Sequence, residues 1–312
     1  MSNLGVIQSE NIKNDVSEVI VSVIIATYRR EVELKRALES LIQQTYKDLE
    51  IIVVDDNAEA SWNKKVKDII EEICIQYPIV YIQNEENKGS AETRNIGIRN
   101  ATGSYITFLD DDDVYLPDKV KNQIEHMVEK SADYCITDLD LYDEKDKLLE
   151  KRVRNYIEDF SPNSLLKYHL KYHMTGTDTI MFRKSYLLDI GMFPPIDIGD
   201  EFYLMQKAID GNGRFSYLPG CHVKAYVHVE TKGLSSGDGK IKGENELYQY
   251  KKKYFNKLNK REQRYIIMRH YAVLAFAELR VNNKKKFLQN AILSFFSSPT
   301  QCFKLFLEIV KR

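Results

Sequence analysis

With 312 residues, 43% apolar and 29% charged, the chain can bury a sizeable core and does not have the composition of a wholly disordered polymer. Its 45 Lys and Arg nearly cancel 46 Asp and Glu, and the formal net charge of −1 argues against a nucleic-acid binder, which carries a basic excess. That length suits one large domain with an appendage, or two modest domains. The 20 Tyr against one Trp follow the same bias as the abundant Lys, Ile and Asn, and are a weak sign of sugar-stacking platforms.

Cys74, Cys135, Cys221 and Cys302 are scattered, without a CxxC pair or zinc-ligand spacing. With no signal-peptide pattern at the start, the expectation is a reduced, cytoplasmic protein. Apolar runs such as Val23 to Ala26 and Ala272 to Ala277 fall far below the roughly 20 residues of a membrane span, so the chain is expected to be soluble or to sit at most on a membrane surface.

In chain order, residues 1–17 are polar and aperiodic, as in a disordered tail. Val21 to Ala26 is a β-branched run that predicts a strand covered on both faces. Leu34, Ala37, Leu38, Leu41 and Ile42 mark one face of a helix. Glu50 to Val54 predicts a second buried strand ending at Asp55-Asp56-Asn57. A helix over Val66 to Ile73, a strand at Val80 to Ile82 and a helix at Asn95 to Asn100 follow. Tyr105 to Leu109 is a further strand, running straight into Asp110-Asp111-Asp112-Asp113, and a helix begins near Asp118 and Lys119. The alternation predicts an α/β fold with a mostly parallel sheet and helices on both faces. Beyond it the pattern is mixed: strands at 134–138, 179–182, 214–218 and 224–228, and a helix near 202–209. A core domain over 18–230 would be followed by a mobile Gly/Ser/Lys-rich linker at 231–243 and a helical region at 244–312. In the last helix Phe303, Phe306, Leu307 and Val310 share a face beside Lys304, Lys311 and Arg312. That pattern fits packing on the preceding helices or peripheral contact with an anionic membrane.

In open α/β sheets, ligands bind beyond the carboxyl ends of the strands. The polar clusters at those ends are Thr27-Tyr28-Arg29, Asp55-Asp56 and Asp110 to Asp113. Consecutive carboxylates repel one another, and a hard divalent cation relieves the repulsion; a helix-capping acidic loop is the structural alternative.

Val21 to Arg29 (VSVIIATYR), Ile52 to Asn57 (IVVDDN), Asn87 to Gly97 (NKGSAETRNIG), Gly103 to Pro117 (GSYITFLDDDDVYLP) and Ile180 to Phe193 (IMFRKSYLLDIGMF) resemble the inverting family-2 glycosyltransferases, bacterial cell-surface polysaccharide type, in spacing and order. The likeness covers roughly residues 20 to 230. It implies the GT-A fold, a mixed sheet flanked by helices with a C-terminal helical extension. The implied activity is metal-dependent transfer of a sugar from a nucleotide sugar, a UDP-sugar in first place, to a saccharide or lipid-linked acceptor hydroxyl in surface polysaccharide or glycoconjugate assembly. By the same resemblance Ala26, Thr27 and Tyr28 would line the base and Asp56 would accept the N3–H of uracil. Gly89 and Arg94 would lie along the ribose and diphosphate. Asp110 and Asp112 would form the DxD pair, with Asp112 coordinating Mn²⁺ or Mg²⁺ and Asp110 and Asp111 facing ribose and metal. His228 matches a position where some relatives place a further metal ligand. The family's acidic pair, Glu then Asp before a helix, stands here as Asp200-Glu201, so the base is Glu201 by the count to Leu204 and Lys207, or Asp200 by the Gly199-Asp200 step. Arg94 as a helix-surface charge and Tyr28 as core packing remain the ordinary alternatives.

Two readings from other classes stand beside this one. A strand followed by Asp110-x-Asp112 also mimics haloacid-dehalogenase-like phosphohydrolases, with Asp110 as nucleophile, but that leaves Asp55-Asp56 and Thr27-Tyr28-Arg29 without a role. A non-catalytic nucleotide-sugar-binding protein has no use for Asp200-Glu201. His169 and His173 have a metal-compatible i, i+4 spacing but lack the glutamate of HExxH.

Overall fold

The computed structural model describes residues 19–74, 78–196, 199–227 and 237–310. The expected tail, His228 and residues 231–236 of the expected linker lie outside them. The described residues fall into two compact units. One lies within Met1–Pro162 and Met174–Val227, the other within Asn163–His173 and His228–Arg312.

In the first unit β1 (Val21–Thr27) lies between β2 (Leu49–Asp55) and β4 (Tyr105–Phe108), and β3 (Ile79–Gln83) follows β2, all in parallel. Val23, Ile24 and Ile25 are all fully buried, so both faces of β1 are covered, which is why the run shows no alternation. The crossovers are α1 (Val32–Ile42), α2 (Ala60–Cys74) and α3 (Gly89–Asn100). α3 approaches β1 closely at Gly97, where an added Cβ would lie 2.5 Å from Ile24 Cγ2. Gly89, at φ +77°, opens α3 in the left-handed region that glycine enters without steric cost.

The sheet is less parallel than the alternation of elements suggests. Its order is β3-β2-β1-β4-β8-β6-β9-β5, with β7 (Leu148–Arg152) on β6 (Tyr134–Tyr142). β8 (Ile180–Arg183) runs antiparallel to both β4 and β6, and β5 (Val114–Tyr115) runs antiparallel to β9 (Phe215–Tyr226). The two strands expected at 214–218 and 224–228 are one. β9 bulges at Gly220 (φ +111°), and the Asp138 carboxylate fixes the bulge by accepting from Gly220 N at 2.9 Å and Tyr217 Oη at 2.6 Å. The remaining helices of this unit are α4 (Lys119–Glu129), α6 (Lys184–Asp189) and α7 (Asp200–Asp210).

The second unit is helical among its described residues: α5 (Pro162–Tyr172), α8 (Gly237–Lys252), α9 (Lys260–Arg280), α10 (Lys284–Ser297) and α11 (Pro299–Val310). Residues 237–243, expected in the linker, lie in α8, and α5 groups with the C-terminal helices although it falls inside 18–230. An Asn259–Glu262 capping box starts α9. His173 lies just past α5 at φ +54°, with Nε2 2.5 Å from Lys251 Nζ, so that ring nitrogen already has a hydrogen-bond partner. Among the described residues no helix is long and apolar enough to cross a membrane.

Candidate active site

Because β1, β2 and β4 are parallel and in register, their carboxyl ends share one edge of the sheet, and three polar turns meet there. The Asp111 carboxylate accepts from Thr27 Oγ1 at 2.8 Å and from the Tyr28 amide at 3.1 Å, tying the turn after β4 to the turn after β1. Tyr28 is 46% exposed and is not part of the core. Arg30 donates to Asp112 Oδ2 at 2.9 Å and approaches Asp111 Oδ1 at 3.8 Å. Arg36 donates to the Asp112 carbonyl at 2.8 Å while stacking on Tyr226 at 3.9 Å. Neither arginine was expected from the sequence, although the pair Arg29-Arg30 after the first strand is a readable signal.

Asp56 joins two elements. Its carboxylate accepts from Asn84 Nδ2 at 2.7 Å and from the amides of Lys88 at 2.8 Å and Gly89 at 3.0 Å, so it satisfies the orphan donors at the start of α3. That anchoring function was not foreseen. Asp55, fully buried, is held by Asn57, Asn63 and Tyr81.

Arg94, on α3, is the centre of the charged network. Its guanidinium donates to Asp110 Oδ1 at 2.6 Å and to Asp200 Oδ2 at 2.8 Å. Burial works against its charge, and the two carboxylates more than offset that, so its pKa is raised. It is therefore not a surface charge. Asp200 is the first residue of α7, follows Gly199 at φ +75°, and also accepts from Ser90 Oγ at 3.3 Å and the Glu201 amide at 2.9 Å. Both oxygens of Asp200 are committed. Glu201 is different: burial, then the charge of Asp200, pushes its carboxyl up to about 7. A carboxylate poised near neutral pH suits proton transfer.

Below the acidic turn lies a residue that sequence reading missed. Asp178 precedes β8, and because β8 is antiparallel to β4 its amino end sits at the carboxyl edge of the sheet. Asp178 Oδ1 accepts from the Asp110 amide at 2.6 Å. Oxygens of Asp110, Asp113 and Asp178 lie within 4.8 Å of one another. Burial and the charge of Asp178 raise Asp110 and Asp113 well above the usual carboxylate range. Asp113 is raised further by its hydrogen bond to Asp178 and accepts from the Tyr226 amide at 2.8 Å. Asp113 and Asp178 are almost wholly buried, whereas the side chains of Asp110 and Asp112 are 32% and 20% exposed. Crowded carboxylates whose charge is suppressed by one another and by burial are a donor set that a hard divalent cation fits.

Asp111 yields a stability prediction. Burial and then Asp112 push its carboxyl from 3.8 up to about 7. A folded-state pKa above the unfolded value means stability that is complete below about 4 and lost as pH rises through about 7. Asp111→Asn stays neutral and can still accept from Thr27 and Tyr28. We expect it to raise the thermal midpoint by a few degrees at pH 8 in chelator, with the gain vanishing near pH 4. Thermal unfolding at both pH values checks it; a lower midpoint at pH 8 would contradict the account.

Comparison with known proteins follows the same lines. The model of the family described as glycosyl transferase family 2 matches residues 22–189, more than half the chain. Curated relatives include an uncharacterized glycosyltransferase of Haemophilus influenzae, 37% identical over 34% of this chain and 34% of its own length. Another is an uncharacterized glycosyltransferase of Methanocaldococcus jannaschii, 32% identical over 55% of this chain and 59% of its own length. The Escherichia coli UDP-Glc:alpha-D-GlcNAc-diphosphoundecaprenol beta-1,3-glucosyltransferase WfaP is 32% identical over 58% of this chain and 67% of its own. The matches thus span about a third to two thirds of these relatives' lengths. Among solved structures, S. aureus TarS 1-349 with UDP-GlcNAc superposes with TM-score 0.58 at 16% identity, over 89% of this chain and 91% of that one. Mannosyltransferase PcManGT of Pyrobaculum calidifontis with GDP-Man and Mn²⁺ gives 0.56 at 15% identity, over 96% and 94%. Neither the phosphohydrolase nor the binding-only alternative is favoured by these likenesses. The ordered strand-end turns, the mixed sheet that gathers them and the matched family model agree: this chain belongs to glycosyl transferase family 2, with a GT-A fold.

Proposed function

We propose that this chain is a metal-dependent, inverting glycosyltransferase that moves a sugar from a UDP-sugar to an acceptor hydroxyl on a saccharide or lipid-linked glycan, in surface polysaccharide or glycoconjugate assembly. The observation that carries the reading is the Arg94 bridge, which joins the acidic turn after β4 to Asp200, next to Glu201. The UDP preference is supported by the donor in WfaP's name and the UDP-GlcNAc complex of TarS. The lipid-linked acceptor is supported by the diphosphoundecaprenol in WfaP's name.

Ala26, Thr27 and Tyr28 line the base, with Thr27 and Tyr28 fixed by Asp111. Asp56 uses three of about four acceptor positions on its carboxylate, leaving one on Oδ2 for the N3–H of uracil. Gly89 and Arg94 lie along the ribose and diphosphate. Asp110 and Asp112, the more exposed acids of the turn, hold Mn²⁺ or Mg²⁺, with His228 a candidate further ligand; Asp113 and Asp178 support Asp110 from below. When bound, the cation would supply electrostatic stabilisation of the departing nucleoside diphosphate. Glu201 takes the acceptor hydroxyl's proton as the acceptor oxygen forms its bond to the anomeric carbon. The bond from that carbon to the phosphate oxygen breaks on the opposite face, and its electron pair leaves with the diphosphate. One displacement inverts the centre and needs no covalent nucleophile.

Incubating the protein with a panel of nucleotide sugars, without acceptor, tests the reading. We expect slow release of UDP from a UDP-sugar that requires Mn²⁺ or Mg²⁺. Release of phosphate from simple phosphomonoesters without any nucleotide-sugar turnover would overturn it.

A further inference from the structure

The second unit carries an apolar surface that its own packing leaves uncovered. In α10, Ser294 is buried and its hydroxyl donates to the Met268 carbonyl on α9 at 2.9 Å, which fixes the inward side of the helix. Around the helix from Ser294, Leu288, Ile292, Phe295 and Phe296 are 59%, 46%, 47% and 71% exposed. Their i, i+4, i+7, i+8 spacing places them on one outward stripe. α11 repeats the pattern with Phe303, Phe306 and Leu307, each at least 41% exposed. Scattered exposed apolar residues are ordinary, but two adjoining helices with bulky aromatic stripes facing outward mark an interaction surface.

The charge around these stripes is one-sided. From Leu279 to Val310 the sequence has Arg280, Lys284, Lys285, Lys286 and Lys304 against a single acid, Glu308. Lys286 reaches back to Glu278 at 3.6 Å, whereas Lys284 and Lys285 open the apolar stripe of α10 from its first turn. A second copy of this surface would bring the same lysines together with Glu308 as the one acid of the two helices to meet them. At about 1.5 Å per residue the 14 and 12 residues of the two helices reach about 21 and 18 Å, short of the roughly 30 Å of a bilayer core. An amphipathic helix with Phe and Leu outward and Lys beside them lies in the plane of an anionic interface.

We propose that α10 and α11 form a peripheral docking surface for an anionic lipid bilayer, with the phenylalanine stripes seated among the acyl chains and the lysines among the headgroups. Flotation of the full chain with vesicles decides it, using phosphatidylcholine alone and phosphatidylcholine with phosphatidylglycerol, at low and high salt. The expected result is co-flotation with the phosphatidylglycerol vesicles that weakens at least tenfold at high salt, and little with phosphatidylcholine. The double variant Phe295→Ser, Phe296→Ser should lose at least tenfold in vesicle partition. Lys284→Gln with Lys285→Gln should lose mainly the salt-sensitive part, and both variants should keep UDP binding as the control for folding. Wild-type protein that stays unbound to phosphatidylglycerol vesicles overturns the proposal. So does vesicle binding that the folded serine variant retains in full, or sedimentation that shows a dimer abolished by the serine pair without any vesicle binding.

Discussion

Glu201→Gln is expected to lower turnover by about 10²–10⁴-fold, the usual contribution of a positioned general base, while leaving donor affinity nearly unchanged. The amide keeps the size of the side chain and removes only its ability to take a proton. Asp200 is expected to behave differently. Its two oxygens are occupied by Arg94, Ser90 and the Glu201 amide, so it is a partner that holds Arg94 and the start of α7. Asp200→Asn weakens the buried pair with Arg94 and should cost stability and donor binding more than the chemical step. The pH profile separates the two roles. A base with its pKa near 7 works deprotonated, so turnover should rise with pH through about 7, level off above it, and fall as pH drops. In Glu201→Gln the residual rate should lose that step. Steady-state kinetics from pH 5.5 to 9, with donor affinity measured by calorimetry, provide the check. If Asp200→Asn abolishes turnover while Glu201→Gln retains it, Asp200 is the base.

Asp112→Asn is expected to reduce activity by orders of magnitude with the fold intact, and to abolish the gain in UDP affinity that Mn²⁺ confers on the wild type. Removing one carboxylate relieves repulsion in a crowded group and gives up the ion pair with Arg30, so the stability of the apo protein should change little. The informative control is Asp113→Asn. Asp113 is hydrogen-bonded to Asp178 and accepts from the Tyr226 amide, and an asparagine can make both bonds. It should therefore keep most of the metal-linked affinity. Calorimetry of UDP with and without Mn²⁺ on the two variants decides the point. Unchanged metal-linked affinity in Asp112→Asn with its loss in Asp113→Asn would move the cation into the buried Asp110, Asp113 and Asp178 group.

Much of this was readable in the sequence because burial leaves a local imprint. Val21 to Ala26, Ile51 to Val54 and Tyr105 to Phe108 are runs without polar alternation, broken only by the buried Ser22 and Thr107, because both faces of a parallel strand are covered, and the polar turns that follow them meet because parallel strands end on one side. Leu34, Ala37, Leu38 and Leu41 are all buried on the inner face of α1, as their spacing requires. Less local features left weaker marks. β7 is LLEKR, without alternation, because it lies at an edge against β6 alone. β9 reads as two strands because Pro219-Gly220 looks like a terminator until Asp138, 82 residues away from Gly220, is seen to hold the bulge.

The sequence by itself determined the elements of the parallel part of the sheet, their order, the family and the acidic turn, since each is written in periodicities and short motifs spanning a few residues. Only the tertiary structure decided the direction of β8, and with it that Asp178 lies beneath Asp110, because strand direction depends on a crossover about 70 residues long and no side-chain pattern records it. The same holds for the partners of Arg94, which lie 16 and 106 residues away, and for the pairing of Arg30 with Asp112. Charges at those distances meet only when the sheet has closed. The acidic run could thus be found from the sequence, but which of its carboxylates is buried, which is paired and which faces outward is set by neighbours brought from elsewhere in the chain.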